Sequence, residues 1–205
     1  MPERRYNKTI GKTKNIKKVL PMSRNHTRTI VFAALLAALT TVATMVIRIP
    51  TPTQGYIHLG DGMVLICGVL LGPGLGALAA GVGSMLADLI GGYMAYVPGT
   101  FAIKALTALA AGWLYHRMAG NARLTTPVRV ALCGIPAEIV MVLGYFVYET
   151  GMEVMMGSSA GAAAVAVAAG IPMNIVQGVT GVIVGAVLLP ILSHASAAMG
   201  ERIRA

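Results

Sequence analysis

The stretch TIVFAALLAALTTVATMVIRI, residues 29–49, decides the fold class. At a rise of about 1.5 Å per residue a helix of this length measures roughly 30 Å, one hydrocarbon thickness. Its 28-residue prefix is long for the n-region of a signal peptide, and the run itself is long for an h-region. Further apolar segments follow it, so the run is read as a retained first membrane span. Composition agrees: 56% of the 205 residues are apolar, 11% are charged, and the mean hydropathy is +0.74. A soluble domain of this size leaves about a third of its unfolded surface in water and has no room to hide so much apolar area. An ordinary soluble enzyme, a disordered chain and a disulfide scaffold are excluded. The net charge of +9 and pI of about 9.9 suggest nucleic-acid binding only until the charge is located. Residues 1–28 hold nine Lys/Arg and one Glu, whereas residues 29–205 hold seven Lys/Arg and six Asp/Glu. The basicity is a tail on a nearly neutral membrane body.

Five further segments complete an expected all-α bundle of six transmembrane helices: 61–72, 73–90, 100–118, 128–148 and 171–192. The first of these is too short to cross upright and reads as a half-span or oblique helix. Residues 150–170 form a connection with a helical Ala/Val stretch near 160–169. Helices are favoured because the bilayer core offers no water to unpaired backbone groups, and the Leu, Ala and Gly runs lack the alternation of a β-barrel. With the N-terminus in the cytoplasm, the tail, the Gly72-Pro73 turn, the 116–129 loop and the C-terminus carry 14 of 16 Lys/Arg. The positive-inside rule therefore puts both termini inside a multi-pass plasma-membrane protein. The layout is a basic tail (1–28), a transmembrane domain (29–193) and a short cytoplasmic C-terminus (194–205).

Small residues mark the helix contacts. Gly68/Gly72, Gly72/Gly76 and Gly181/Gly185 are Gly-xxx-Gly pairs that let backbones approach closely. The pairs Ala33/Ala37 and Ala34/Ala38 form a flat strip near the cytoplasmic end of span one. Such a strip suits either packing within the bundle or docking of another membrane protein.

Most chemical motifs fail on context. Gly11-Lys12-Thr13 is no phosphate loop, since Tyr6 stands where the first glycine belongs and no strand precedes it. Asn7-Lys8-Thr9 and Asn25-His26-Thr27 match glycosylation acceptors on the wrong side of the membrane. Cys67 and Cys133 are isolated packing residues, and no catalytic, cofactor or metal set emerges. The informative residues are polar ones set in apolar surroundings, because a charge at bilayer depth costs about 2.5–3.5 kcal/mol even on the lenient insertion scale. Lys104 lies one turn into span four. Glu138 lies near mid-depth in span five, and Tyr145 and Glu149 follow it on one helical face. Asn174 and Gln177 open span six behind Pro172, where a helix N-terminus presents free N–H groups. The loops PTPTQGYIHLGD (50–61) and GGYMAYVPG (91–99) add His58, Tyr93 and Tyr96 on the same side. Structural roles are open for each. Lys104 and Glu138 fit an ion pair, Tyr93 and Tyr96 fit interfacial belt aromatics, Asp61 fits an N-cap, and Asp88 fits a bond to Ser84 one turn earlier. Together the polar groups converge on the outer half of one bundle, as a binding site requires.

The strings GYIHLGD (55–61), LLGPG (70–74), ADLIGGY (87–93), PGTF (98–101) and NIVQG (174–178) resemble the substrate-binding S components of energy-coupling factor (ECF) transporters. The resemblance spans residues 29–193. It implies a six-helix, non-enzymatic protein that captures a vitamin or precursor at its outer face and needs no cofactor. It further implies delivery by reorienting against a transmembrane coupling subunit driven by two ATPases, with the Ala strip of span one as the docking motif. The implied pocket residues are His58, Tyr93, Tyr96, Lys104, Glu138, Tyr145, Glu149, Asn174 and Gln177. The low aromatic content argues against stacking a large flavin and for a small hydroxymethylated heterocycle such as pyridoxine or a hydroxymethyl-pyrimidine. Riboflavin and folate remain alternatives, as do a ligand-free membrane scaffold and a self-sufficient small transporter. The long basic tail is not part of the resemblance.

Overall fold

The computed structural model describes residues 24–50, 55–121 and 123–198. Most of the basic tail, with Gly11-Lys12-Thr13 and the acceptor at Asn7, lies outside the described residues, as do 199–205 of the expected C-terminal segment. Among the described residues there are seven helices: α1 (Arg24–Val46), α2 (Asp61–Leu71), α3 (Pro73–Gly91), α4 (Val97–Arg117), α5 (Thr126–Met155), α6 (Ala160–Ala168) and α7 (Ile171–Ala198). Five of them, all but α2 and α6, are long and apolar enough to cross a membrane. Each of the six expected segments contains one of these helices, the first of them ending at Val46 and not at residue 49. α5 runs two turns past the expected end at residue 148 and, at about 45 Å, outreaches the hydrocarbon core.

One element was not expected. Residues Arg48–Pro50 (β1) and Tyr56–His58 (β2) pair antiparallel, with Ile49 opposite Ile57, so that α1 stops at Val46 and the strand takes the last two residues of the expected first span, 29–49, together with part of the expected loop. The bundle is otherwise entirely helical among the described residues.

The short helix α2 lies at the centre. Ten of its eleven residues are buried, because α1, α3, α4 and α7 all pack around it. This explains how a helix of about 16 Å exists at membrane depth: its ends meet protein, not lipid. Gly72 takes φ 80°, a left-handed value that glycine adopts freely, and Pro73 then starts α3 at once. The chain thereby reverses within a single residue. Close approach between α2 and α4 depends on a facing pair of glycines. A Cβ on Gly68 would stand 2.1 Å from the Ala108 carbonyl oxygen, and one on Gly112 would stand 2.4 Å from that of Gly68.

The outer surface is apolar in stripes of helical period. Ile135, Ile139, Leu143 and Val147 of α5 and Ile175, Val179, Ile183 and Val187 of α7 are all exposed. A helix facing lipid on one side and protein on the other has this arrangement. The two cysteines pack as expected: both are buried, Cys67 Sγ lying 3.6 Å from Thr40 Oγ1 and Cys133 Sγ donating to the Val130 carbonyl at 3.3 Å. Of the Ala strip, Ala33 and Ala37 turn inward and are buried, and Ala34 and Ala38 face outward.

Candidate ligand-binding site

The polar residues of α2, α4 and α7 meet beneath the hairpin. Lys104 and Asp61 form an ion pair in which both side chains are fully buried. Asp61 Oδ2 also accepts from Gln177 Nε2 at 2.7 Å, and Gln177 Oε1 accepts from the His58 backbone N–H at 3.0 Å. Elements distant in sequence are thus laced together, and the two bonds to the Asp61 carboxylate are charge-assisted, about twice as strong as neutral ones.

Two expectations are corrected here. Asp61 is not an N-cap: it is the first helical residue, Gly60 precedes it without a side-chain cap, and its carboxylate points at Lys104 and Gln177. Lys104 consequently pairs with Asp61 and not with Glu138. A buried ammonium takes the carboxylate that other donors already hold in place, because such a site desolvates best.

Above this layer stands His58. Its Nδ1 accepts from the Gly60 N–H at 3.0 Å, which leaves the proton of the neutral ring on Nε2. Burial, reinforced by the Lys104 ammonium, lowers its pKa from 6.5 to about 3, so the ring is neutral at physiological pH. The fit is tight: a Cβ on Gly60 would stand 2.1 Å from Thr44 Oγ1 and 2.8 Å from His58 Nδ1.

Tyrosines and carboxylates make the walls. Tyr56 donates to Asp88 Oδ1 at 2.6 Å, Tyr96 donates to Glu149 Oε1 at 3.3 Å, and the Tyr145 and Thr100 hydroxyls share a bond of 3.0 Å. Burial first, and then the neighbouring carboxylate, raises the pKa of both Tyr56 and Tyr96. Both therefore stay protonated and act as donors. The Asp88 reading is the third correction. Its carboxylate reaches across to Tyr56, and Ser84 Oγ is left without a partner. The rings of Tyr56 and Tyr93 lie 4.6 Å apart, and Tyr93 meets Tyr96 edge-on at 6.4 Å. Arg48 covers this row, with its guanidinium 4.8 Å from the Tyr56 ring centre and 5.9 Å from that of Tyr93.

These side chains enclose a cavity of about 20 Å³, room for about one water. Of the expected site residues, His58, Tyr96, Tyr145, Glu149, Asn174 and Gln177 line it. Tyr93 stands behind Tyr56 in the aromatic row, and Lys104 lies below, closed off by Asp61. Glu138 does not reach the cavity. It borders an apolar groove between α5 and α7. Sequence reasoning missed Gly55, Tyr56, Asp88 and Thr100, which complete the lining. Tyr56 lay within the loop already singled out, and Thr100 stands four residues before Lys104 on one helical face. Among the described residues no three His, Cys, Asp or Glu side chains gather as a metal site would need. What the arrangement offers is a ring of directed donors and acceptors on largely buried side chains.

Comparison with known proteins agrees with this architecture. A family model described as "ECF-type riboflavin transporter, S component" matches residues 24–194. A Pyrococcus woesei protein, described as "Uncharacterized protein in gap 3'region", is 38% identical over 146 residues, 71% of this chain and 88% of that one. A solved structure of the S component of a bacterial ECF transporter superposes with a TM-score of 0.56 at 20% identity, covering 86% of this chain and 99% of that one. The last likeness speaks for the fold alone.

Proposed function

The chain belongs to the ECF-type riboflavin transporter S-component family, and from that membership we propose that its cavity captures a small vitamin-type heterocycle for uptake. S components are substrate-binding subunits of transporters and not enzymes, so the task is recognition without chemistry. The observation that carries the substrate reading is the polar lining of the cavity: the hydroxyls of Tyr56, Tyr96 and Tyr145, two carboxylates and Asn174. A one-ring, hydroxymethylated compound of the pyridoxine or hydroxymethyl-pyrimidine class carries hydroxyl and ring-nitrogen groups that pair with such a lining, once the walls part to admit it.

The second reading is riboflavin, and the family description favours it. Calorimetric titration of the purified protein with pyridoxine, the aminopyrimidine alcohol and riboflavin separates the two. Binding of a one-ring compound that is lost in Asn174→Ala and Tyr96→Phe supports the first, and saturation by riboflavin alone replaces it with the second.

Six spans, with both termini cytoplasmic and the cavity at the outer face, are the orientation we propose. The loop and helix ends bearing Arg117, Arg123 and Arg129 lie at the opposite end of the bundle from Tyr96 and Glu149, in support of this orientation. On the same reading the transmembrane domain is 29–193, and Ala34 and Ala38 offer an outward face to a coupling subunit that links the chain to two ATPases. Cysteines placed at residues 119 and 157 test the orientation: a membrane-impermeant maleimide added to whole cells should label the second and spare the first.

A further inference from the structure

Glu138 projects from α5 where α2, α4 and α7 converge. It is 5% exposed, and no donor reaches Oε1 or Oε2. The charged groups facing it are Asp61 of α2 and Lys104 of α4. α7 presents the uncharged Gln177 and bare glycine backbone. A Cβ on Gly178 would stand 3.0 Å from Glu138 Cβ, and one on Gly181 would stand 3.2 Å from Glu138 Oε1 and 2.7 Å from Asp61 Cβ. The two carboxyl groups therefore share one small space that α7 closes.

Charge does not balance in that space. One ammonium faces two carboxyl groups, and Lys104 bonds Asp61. Gln177 also gives its amide to Asp61. On its other side Glu138 borders the groove between α5 and α7, a volume of about 250 Å³ whose remaining lining, such as Ile139, Val142, Ile175 and Val179, is wholly apolar. Nothing there supplies a cation or a donor. An ionised Glu138 would be a second anion beside Asp61 at membrane depth, where unpaired charge is most costly.

We propose that Glu138 is a proton-binding site: it takes one proton from solution, becomes a neutral carboxylic acid, and directs its O–H toward Asp61. Asp61 has the acceptor capacity for this, since each carboxylate oxygen carries two lone pairs and each is met by one donor so far. With the proton in place, the pair of carboxyl groups and Lys104 sum to zero charge. The site is separate from the cavity and does not depend on which vitamin is bound.

Infrared difference spectra of the full chain in phosphatidylcholine nanodiscs at pH 7, wild type minus Glu138→Gln, test this directly. The expected result is the carbonyl stretch of an undissociated carboxylic acid. The paired stretches of a carboxylate in its place would overturn the proposal. The wild-type protein alone gives a second readout, independent of whether the variant folds. Dicyclohexylcarbodiimide, which enters apolar regions and attacks protonated carboxyls, should modify Glu138 at pH 7, as located by peptide mass spectrometry. Modification at pH 5 but not at pH 7 would show the residue ionised at neutral pH and overturn the proposal.

Discussion

At the scale of the residue, the Lys104–Asp61 pair has the largest energetic consequence. Both groups are fully buried, so removing one leaves an uncompensated charge in the bundle. Lys104→Met should lower stability by about 3–5 kcal/mol, seen as a lower thermal midpoint in detergent. The double variant Lys104→Met with Asp61→Asn should recover much of the loss, because the charge is removed together with its partner. His58 gives a pH signature of known sign. Its folded pKa of about 3 lies below the ordinary 6.5, so between these values the unfolded chain binds more protons than the folded one. The stability due to its neutral burial is complete above pH 6.5 and is lost as the pH falls toward 3, at about 1 kcal/mol per pH unit. Thermal midpoints at pH 7 and pH 5 should differ more for the wild type than for His58→Asn, whose side-chain oxygen can replace Nδ1 as acceptor for Gly60. The sequence marked Lys104 correctly as a residue needing a partner but pointed to Glu138. The reason is depth. A one-dimensional reading places Asp61 at a helix start and therefore near the interface, whereas α2 starts inside the bundle and carries its first residue to the level of Lys104.

At the scale of the element, glycine placement decides how near α2 and α4 can come. Gly68→Ala would push a methyl into the Ala108 carbonyl at 2.1 Å, backbone against backbone, with no flexible side chain to yield. Overpacking of this kind costs about 1–3 kcal/mol. Gly74→Ala, by contrast, meets nothing within 4 Å in the first turn of α3, and a helical alanine gains up to about 1 kcal/mol over glycine. The two substitutions should move the thermal midpoint in opposite directions. The Gly-xxx-Gly spacing announced the contact at Gly68 but could not distinguish it from Gly72, where glycine serves the turn through its positive φ. The long helices were legible because each is an apolar run about one hydrocarbon thickness in length. The β1–β2 hairpin was not, since three paired residues on each side leave no alternation long enough to read. Tyr56 of that hairpin stayed hidden for the same reason: its role follows from the strand pairing that brings its hydroxyl to Asp88.

At the scale of the whole molecule, the proposed capture and docking surfaces fall at two ends of the bundle. The cavity, the tyrosine row and the hairpin sit at one end. The exposed alanines of α1 lie toward the other, far from the cavity. α1 contributes its Ala33, Leu36, Ala37 and Thr40 side to the core, where Thr41 Oγ1 donates to the Gly83 carbonyl at 2.8 Å. Its opposite face is left with small side chains at Ala34 and Ala38 and apolar ones at Val31, Leu35 and Val42. Lipid alone would be met as well by larger residues, whereas a second helix packs closest where alanines leave the backbone accessible. Ala34→Trp and Ala38→Trp add bulk on that face only, so neither should disturb the core or the cavity. Each should abolish vitamin uptake in cells that also express the coupling subunit and ATPases, and leave calorimetric binding to the purified protein unchanged. Ala37→Trp is the contrasting case, since it enters the buried face against Gly83 and should reduce stability and binding together. Full uptake in Ala34→Trp and Ala38→Trp would show that the partner approaches by another face, and loss of binding in either would show that α1 shapes the cavity from a distance.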